Sequence, residues 1–318
     1  NSAASYVLSA IVQKATGQRM GDFLQARVFD PLGIKRPRWR VSGEGVTLGG
    51  YGLSLRTEDL AKLGELYLRK GSWWGRQLLA AEWVASATKR QIATGGDPDG
   101  EGANGYGYQF WRARHGYQAS GRLGQLCLVL PEQDVVVVFT AASQDPQAAL
   151  QQIWEVLLPA LRSAALPSDA VAARDLKHAL AMLQLPPLAG ALSPRIAPQV
   201  SGKRFVFSDD GVESDLVLEW RSPKQPARLV MLSGRAQQSI TCRSGAWTKA
   251  RTVLPGDTEP RHVAASCAWV SDDTFSIQIV LYELGSTLDM TLKYEADQLH
   301  VTEVYDFVRR PARVGVAR

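Results

Sequence analysis

The chain has 318 residues, 45% hydrophobic and 21% charged, with a formal net charge of +5. Such values belong to a globular protein of about two domains and exclude a disordered chain. No apolar run approaches the ~18 residues of a membrane span, and Lys and Arg are scattered among acids rather than gathered into a nucleic-acid-binding patch.

The first helix is marked by Leu8, Ile11, Val12 and Ala15 at i, i+3, i+4, i+7, with Gly17 as its stop. A second, around Met20 to Phe29, is expected to bury Phe23, Leu24 and Val28 and to break at Asp30-Pro31-Leu32-Gly33. A loop holding the basic group Lys35-Arg36-Pro37-Arg38-Trp39-Arg40, read as solvated, runs to Gly49-Gly50-Tyr51-Gly52. Thr57 is expected to cap a third helix with Leu60, Leu63, Tyr67 and Leu68 on one face, ending at Gly71. A fourth covers Ala80 to Thr88, and the glycine-rich loop from Gly95 to Gly107 leads into a strand from Tyr106 to Trp111.

Two apolar runs, Leu126 to Leu130 and Val135 to Phe139, flank Pro131-Glu132-Gln133-Asp134, a hairpin signal. Before them lies Ala119-Ser120-Gly121-Arg122-Leu123-Gly124-Gln125, whose two glycines suit either a bulged edge strand or a close approach of backbone to something other than side chain. Helices follow over Pro146 to Leu161, with Ala149, Ile153, Val156, Leu157 and Leu161 inward, and from Ser168 to about Leu183, ended by Pro186-Pro187.

Beyond about Ala191 the pattern is strands and turns. Strands are expected at Arg204 to Phe207, Leu216 to Leu218, Arg228 to Leu232, Phe275 to Tyr282, Ser286 to Tyr294 and Leu299 to Phe307. Turns fall at Asp209-Asp210-Gly211, Ser271-Asp272-Asp273 and Glu295-Ala296-Asp297. The expected fold is α/β (α+β): an antiparallel sheet with flanking helices over residues 1–164, a helix and Pro-rich linker over 165–190, and an antiparallel β domain, a curved sheet or small barrel, over 191–318. Trp247, Trp269 and Tyr282 are candidates for the β-domain core.

The four histidines, His115, His178, His262 and His300, lie far apart, and no HExxH or Cys/His cluster marks a metal site. No phosphate-binding glycine loop or G-x-S-x-G elbow is present, so no cofactor is expected. Cys127 reads as a small core residue; Cys242 and Cys267 are able to pair in an exported protein, which their spacing does not decide. Ser86-Ala87-Thr88-Lys89 matches S-x-x-K, in which a lysine one turn away takes the serine proton, but its place at a surface helix end reads as solvent-facing.

Four blocks resemble, in order, the serine β-lactamase and penicillin-binding protein family, including class C enzymes, esterases and 6-aminohexanoate-dimer hydrolases. Asn1 to Gly17 resembles the helix after its Tyr-x-Asn/Ser motif. Phe29-Asp30-Pro31-Leu32-Gly33 resembles its F-x-P-L-G turn. Tyr51 to Gly64 resembles G-G-L-x-x-T-x-x-D-L-A-K-L-G, and Ala119-Ser120-Gly121 stands where the family has Lys-Thr-Gly or His-x-Gly. The resemblance covers about residues 1 to 162 and implies the C-terminal portion of a bacterial serine hydrolase, acting through an acyl-enzyme on an ester, amide or peptide.

The resemblance places Ser2 at the third position of the Tyr motif (Asn1 on a one-residue shift), so the tyrosine, the nucleophilic serine and its lysine are expected upstream of Asn1 and the chain alone is expected to be inactive. It makes the N–H of Arg122 an oxyanion-hole donor, a role that needs a fixed donor about 3 Å from the developing charge. Ala119, Ser120 and Gly121 are expected to line the substrate site, with Ala119 replacing a cation that recognises carboxylates. Tyr106, Tyr108 and Trp111 are expected either in the acyl-side pocket or in the core. The expected partner is a small-molecule or peptide substrate, with no nucleic acid and no membrane span; a periplasmic or secreted location follows only by family analogy, and oligomeric state is left open. The alternative is a non-catalytic binding protein on the same fold.

Overall fold

A computed structural model of the chain describes residues 1–35, 37–95, 101–190, 194–209, 212–234, 236–254, 259–306 and 308–318. It forms two compact units, Asn1–Ala165 and Leu166–Arg318.

In the first unit, α1 (Ser2–Thr16) is capped by Asn1, whose side chain accepts the Ala3 N–H at 3.0 Å, and stops at Gly17 with φ 70°. The apolar stripe read from its spacing is not its buried side: Leu8 and Ile11 are more than half exposed, and Ser9 is fully buried. The helix packs through small residues because backbone meets backbone there. A Cβ on Gly49 would lie 2.2 Å from the Ser5 carbonyl oxygen, and one on Gly50 2.7 Å from Ser2 Cα.

Helix α2 (Met20–Leu24) continues into a π-helical turn, Gln25–Phe29, which buries Phe29 with Leu32, Ile34 and Leu66. Strands β1 (Arg38–Trp39) and β2 (Leu53–Ser54) pair ahead of α3 (Thr57–Leu68). The cap of α3 is Arg56, not Thr57: Thr57 is already helical, and its Oγ1 is 2.9 Å from Thr140 Oγ1. A hairpin, β3 (Ser72–Trp73) and β4 (Arg76–Gln77), leads to α4 (Ala81–Thr88).

A four-stranded antiparallel sheet follows: β5 (Trp111–Ala113), β6 (Gly116–Gly121), β7 (Gln125–Leu130) and β8 (Val135–Phe139), neighbours in that order. The strand expected over Tyr106 to Trp111 is interrupted. Tyr106 makes single bridges to Ile92 and Trp111, and Gln109 turns the chain with φ 66°. Tyr117, Cys127 and Val129 pack with Leu60, Tyr67 and Leu68 of α3 on one face. Leu126, Leu128 and Leu130 pack with Leu150, Ile153 and Trp154 on the other. The latter come from α5 (Pro146–Gln152) and a π-helical turn, Ile153–Leu157, before α6 (Leu158–Ala160). Val156 and Leu157, expected inward, are exposed, because a wider turn shifts the face that a 3.6-residue period assigns.

The second unit opens with α7 (Ala170–Met182), capped by Asp169, and α8 (Ala197–Val200). The strands are β9 (Arg204–Asp209), β10 (Val212–Glu219), β11 (Ala227–Ser233), β12 (Ala236–Cys242), β13 (Thr248–Thr252), β14 (Arg261–Trp269), β15 (Thr274–Leu281), β16 (Ser286–Glu295), β17 (Gln298–Tyr305), β18 (Val308–Arg309) and β19 (Arg313–Ala317). They form one antiparallel sheet ordered β12-β11-β10-β9-β19-β17-β16-β15-β14-β13, with β18 beside β17.

This sheet curls until its ends meet, as a nearly closed barrel. The Cys267 N–H donates to Arg243 O at 3.1 Å, Thr252 Oγ1 donates to Ser239 O at 3.1 Å, and a disulfide joins Cys242 to Cys267 across the seam. Strict alternation in β15 and β16 turns Phe275, Ile277, Ile279 and Leu281, with Leu288, Met290, Leu292 and Tyr294, into the interior. Of the expected core aromatics Trp269 is buried, whereas Tyr282 lies at the surface and Trp247 is half-buried, donating to Leu185 O at 2.8 Å. Leu188 O accepts from Gly245 N (2.7 Å) and Ser266 Oγ (3.1 Å), so the Pro-rich segment is strapped to the barrel wall. Asp210, Gly211 and Phe307, in the expected turns and last strand, lie outside the described residues. Among the described residues no helix is long and apolar enough to cross a membrane.

Candidate active-site wall

Strand β6 brings Ala119, Ser120 and Gly121 to one end of the sheet. On one side they pair with β7, as Ala119↔Cys127, Ser120↔Leu126 and Gly121↔Gln125, in a register unbroken from Tyr117↔Val129. The two glycines therefore do not form a bulge: Gly121 ends β6 opposite Gln125, and Gly124 lies in the tight turn between them. On the other side β5 reaches only Gln118, opposite Trp111, so beyond that point the β6 edge has no strand partner among the described residues. Ser120 and Gly121 are exposed, and Ala119 is half-buried against the Tyr117–Cys127 cluster.

The hairpin loop is held rather than loose. Leu123 and Gly124 take φ 62° and 85°, the Ser143 N–H donates to Leu123 O at 3.0 Å, and Gln125 Nε2 donates to Arg122 O (3.3 Å) and Ala141 O (2.6 Å). The Arg122 N–H has no acceptor among the described residues. A fixed turn beside an unpaired strand end leaves backbone donors free for an incoming carbonyl oxygen.

Of the three candidate aromatics, two come together. The Tyr106 and Trp111 rings meet edge-on at 4.8 Å, whereas Tyr108 turns away to stack on Trp83 at 5.7 Å. Partial burial raises the Tyr106 hydroxyl above its ordinary pKa. Gln109, which the sequence reading passed over, ties this wall to α1: its Nε2 donates to Ser5 Oγ at 3.2 Å, and its Oε1 is 3.5 Å from the Tyr106 hydroxyl. Nothing in the sequence marks a glutamine for a left-handed turn. Ser2, one helical turn before Ser5, is exposed against Gly50, and no hydrogen bond joins it to β6 among the described residues.

Other reactive groups near the sheet are committed elsewhere. Burial pushes the Cys127 thiol up to about 12, so it stays protonated and unreactive. Glu101 is buried with both oxygens engaged: Oε1 accepts from Trp154 Nε1 at 2.8 Å and Oε2 from the Arg114 N–H at 3.1 Å, pinning the β5–β6 turn to the π-helical segment. Ser86 is half-buried on α4, while Lys89 lies past its end, extended and exposed, with no hydrogen bond between the two. Among the described residues no group of three or more His, Cys, Asp or Glu side chains is placed to hold a metal.

The first unit is thus a helix-flanked antiparallel sheet with one open strand end. The beta-lactamase family model matches residues 1–161, and the chain belongs to that family. Similar solved structures include a protein assigned as a 6-aminohexanoate-dimer hydrolase from Bacillus anthracis, 18% identical with TM-score 0.42, over 58% of this chain and 45% of that one. An octameric penicillin-binding protein homologue from Pyrococcus abyssi is 15% identical with TM-score 0.34, over 98% of this chain and 63% of that one. A Schistosoma mansoni fatty acid binding protein is 13% identical with TM-score 0.30, over 41% of this chain and 98% of that one. The chain thus spans less than half the length of the Bacillus protein. No curated protein matches it.

Proposed function

We propose that the first unit forms one wall of the active site of a serine hydrolase that works through an acyl-enzyme on an ester, amide or peptide. The observation that carries the reading is the unpaired end of β6, where Ser120, Gly121 and the acceptor-free Arg122 N–H stand exposed beside a pinned hairpin. In this role the Arg122 N–H donates to the substrate carbonyl oxygen as it gains charge, Gly121 leaves room for it, and Ser120 lines the approach. Tyr106 and Trp111 supply an apolar side to the pocket. Ala119 brings no charge, so recognition of a substrate carboxylate falls to other groups.

The serine oxygen attacks the carbonyl carbon while its proton passes to a base. The bond to the leaving oxygen or nitrogen then breaks as that atom is protonated, and water releases the acyl group by the same route. Nucleophile and base are assigned to a segment ahead of Asn1, adjoining the Ser2 end of α1. The half-exposed Val7, Leu8 and Ile11 on α1 support a further covering segment.

The test is labelling by a fluorophosphonate probe of the 318-residue chain and of the chain extended through whatever its gene encodes ahead of Asn1. Labelling of the extended protein alone is expected. Labelling of the 318-residue chain, or of neither, would overturn the reading.

A further inference from the structure

The β3–β4 hairpin is closed by two residues, Trp74 and Gly75, between the paired Trp73 and Arg76. Their φ angles, 47° and 78°, are both positive, the signature of a type I′ turn, whose first position favours Asn, Asp or Gly. A bulky aromatic there is a backbone outlier, and such strain persists where something other than local preference holds it. Trp74 is also 91% exposed, the highest value of any large apolar side chain among the described residues. Folding accounts for neither the strain nor the solvated indole.

Two cations share the tip. Lys70 and Arg76 are exposed, and neither has an acidic partner among the described residues, whereas Arg69 is engaged by Glu65 at 2.7 Å and Asp134 at 2.5 Å. The Lys70 carbonyl accepts from Gln77 Nε2 at 2.8 Å, which fixes it beside the hairpin. An apolar pocket on another protein would call for an apolar rim around the indole, but beyond the edge of Trp73 at 6.3 Å its neighbours Gly75, Arg76 and Gln77 are exposed and give it none. A neutral polysaccharide would gain nothing from the unpaired cations.

We infer that the β3–β4 tip docks on an anionic lipid surface. The Trp74 ring sits at the headgroup boundary, where its apolar body and polar N–H are both satisfied, and Lys70 and Arg76 face the headgroup phosphates.

The experiment is co-sedimentation of the full chain with vesicles of equal parts phosphatidylglycerol and phosphatidylcholine, and with phosphatidylcholine alone. The chain is expected to bind the anionic vesicles preferentially and to be released as salt rises. Trp74→Asn, a residue suited to the turn, is expected to lower the partition coefficient at least fivefold while leaving the melting temperature unchanged or higher. Lys70→Gln with Arg76→Gln is expected to weaken binding and flatten its salt dependence. No association with anionic vesicles, equal binding to neutral ones, or a Trp74→Asn chain that binds like its parent would overturn the inference. Retention on an insoluble polysaccharide in place of vesicles would overturn it too.

Discussion

Gly64 of α3 faces Cys127 of β7 so closely that a methyl group at position 64 would lie 2.7 Å from Cys127 Sγ and 2.5 Å from Val136 Cγ1. That contact sets the spacing between α3 and the sheet, and Cys127 is the partner of Ala119 in the register that presents the β6 end.

Gly64→Ala brings two opposed effects. Alanine favours a helix by about 1 kcal/mol over glycine, but overpacking a close-packed contact typically costs about 1–3 kcal/mol. The steric effect dominates because both clashing atoms belong to the sheet, so urea denaturation is expected to show a net loss of about 1–2 kcal/mol in the first unit. Cys127→Ala added to Gly64→Ala removes one clash and is expected to recover part of it; a Gly64→Ala chain at least as stable as the parent would refute the packing argument.

Burial that pushes the Cys127 thiol up to about 12 also has a pH consequence. The unfolded thiol ionises near pH 8.5, so above that pH the unfolded state sheds a proton that the folded state keeps. Stability then falls as pH rises, by up to about 1.4 kcal/mol per pH unit for one group, and is unaffected below pH 8. Comparing Cys127→Ala with the parent between pH 8 and 10 is expected to show the shallower loss in the variant. Parallel curves would mean that the thiol is not desolvated.

The Cys242–Cys267 disulfide closes the barrel seam over a separation of 25 residues, and a loop of that length corresponds to about 3.5 kcal/mol. Replacing both cysteines with alanine is expected to lower the stability of the second unit by about 2–4 kcal/mol and leave the first unchanged. Calorimetry resolving the two units tests this, and an unchanged second transition would count against closure by the disulfide.

If Arg122 acts through its backbone, the side chain is dispensable and the N–H is not. In a protein that carries the nucleophile, Arg122→Ala is expected to hold kcat within a few-fold, whereas Arg122→Pro, lacking the N–H, loses about 10²–10³. Circular dichroism and melting temperature check that the proline variant still folds. Equal losses in both would assign the role to the guanidinium instead.

The sheet hairpin was legible because its signals are local. Proline at the start of a short polar link and β-branched runs on either side mark Leu126 to Leu130 and Val135 to Phe139, and the strands observed are Gln125–Leu130 and Val135–Phe139. The helix stop at Gly17 is equally local, a left-handed residue that only glycine adopts freely. The buried side of α1 was not legible. Helical spacing names an apolar stripe, but close approach of Gly49 and Gly50 selects the Ser5–Ser9 side instead. Tyr106 to Trp111 has strand composition and is broken by the left-handed Gln109, which no propensity anticipates.

For the candidate site, the sequence alone located Ala119-Ser120-Gly121 before a hairpin and left two meanings open. Those residues could not say that β5 pairs with β6 only as far as Gln118, because the length of a neighbouring strand is settled by long-range pairing. Likewise Cys242 and Cys267 were readable only as a possible pair, until the curl of the sheet brought its two ends together. The sequence by itself determined where turns, caps and alternating strands fall, since those follow from the φ preferences and side-chain periods of adjacent residues. The tertiary structure alone decided which faces are buried, which strand edge stays open and which distant side chains meet, since those depend on contacts between segments far apart in the chain.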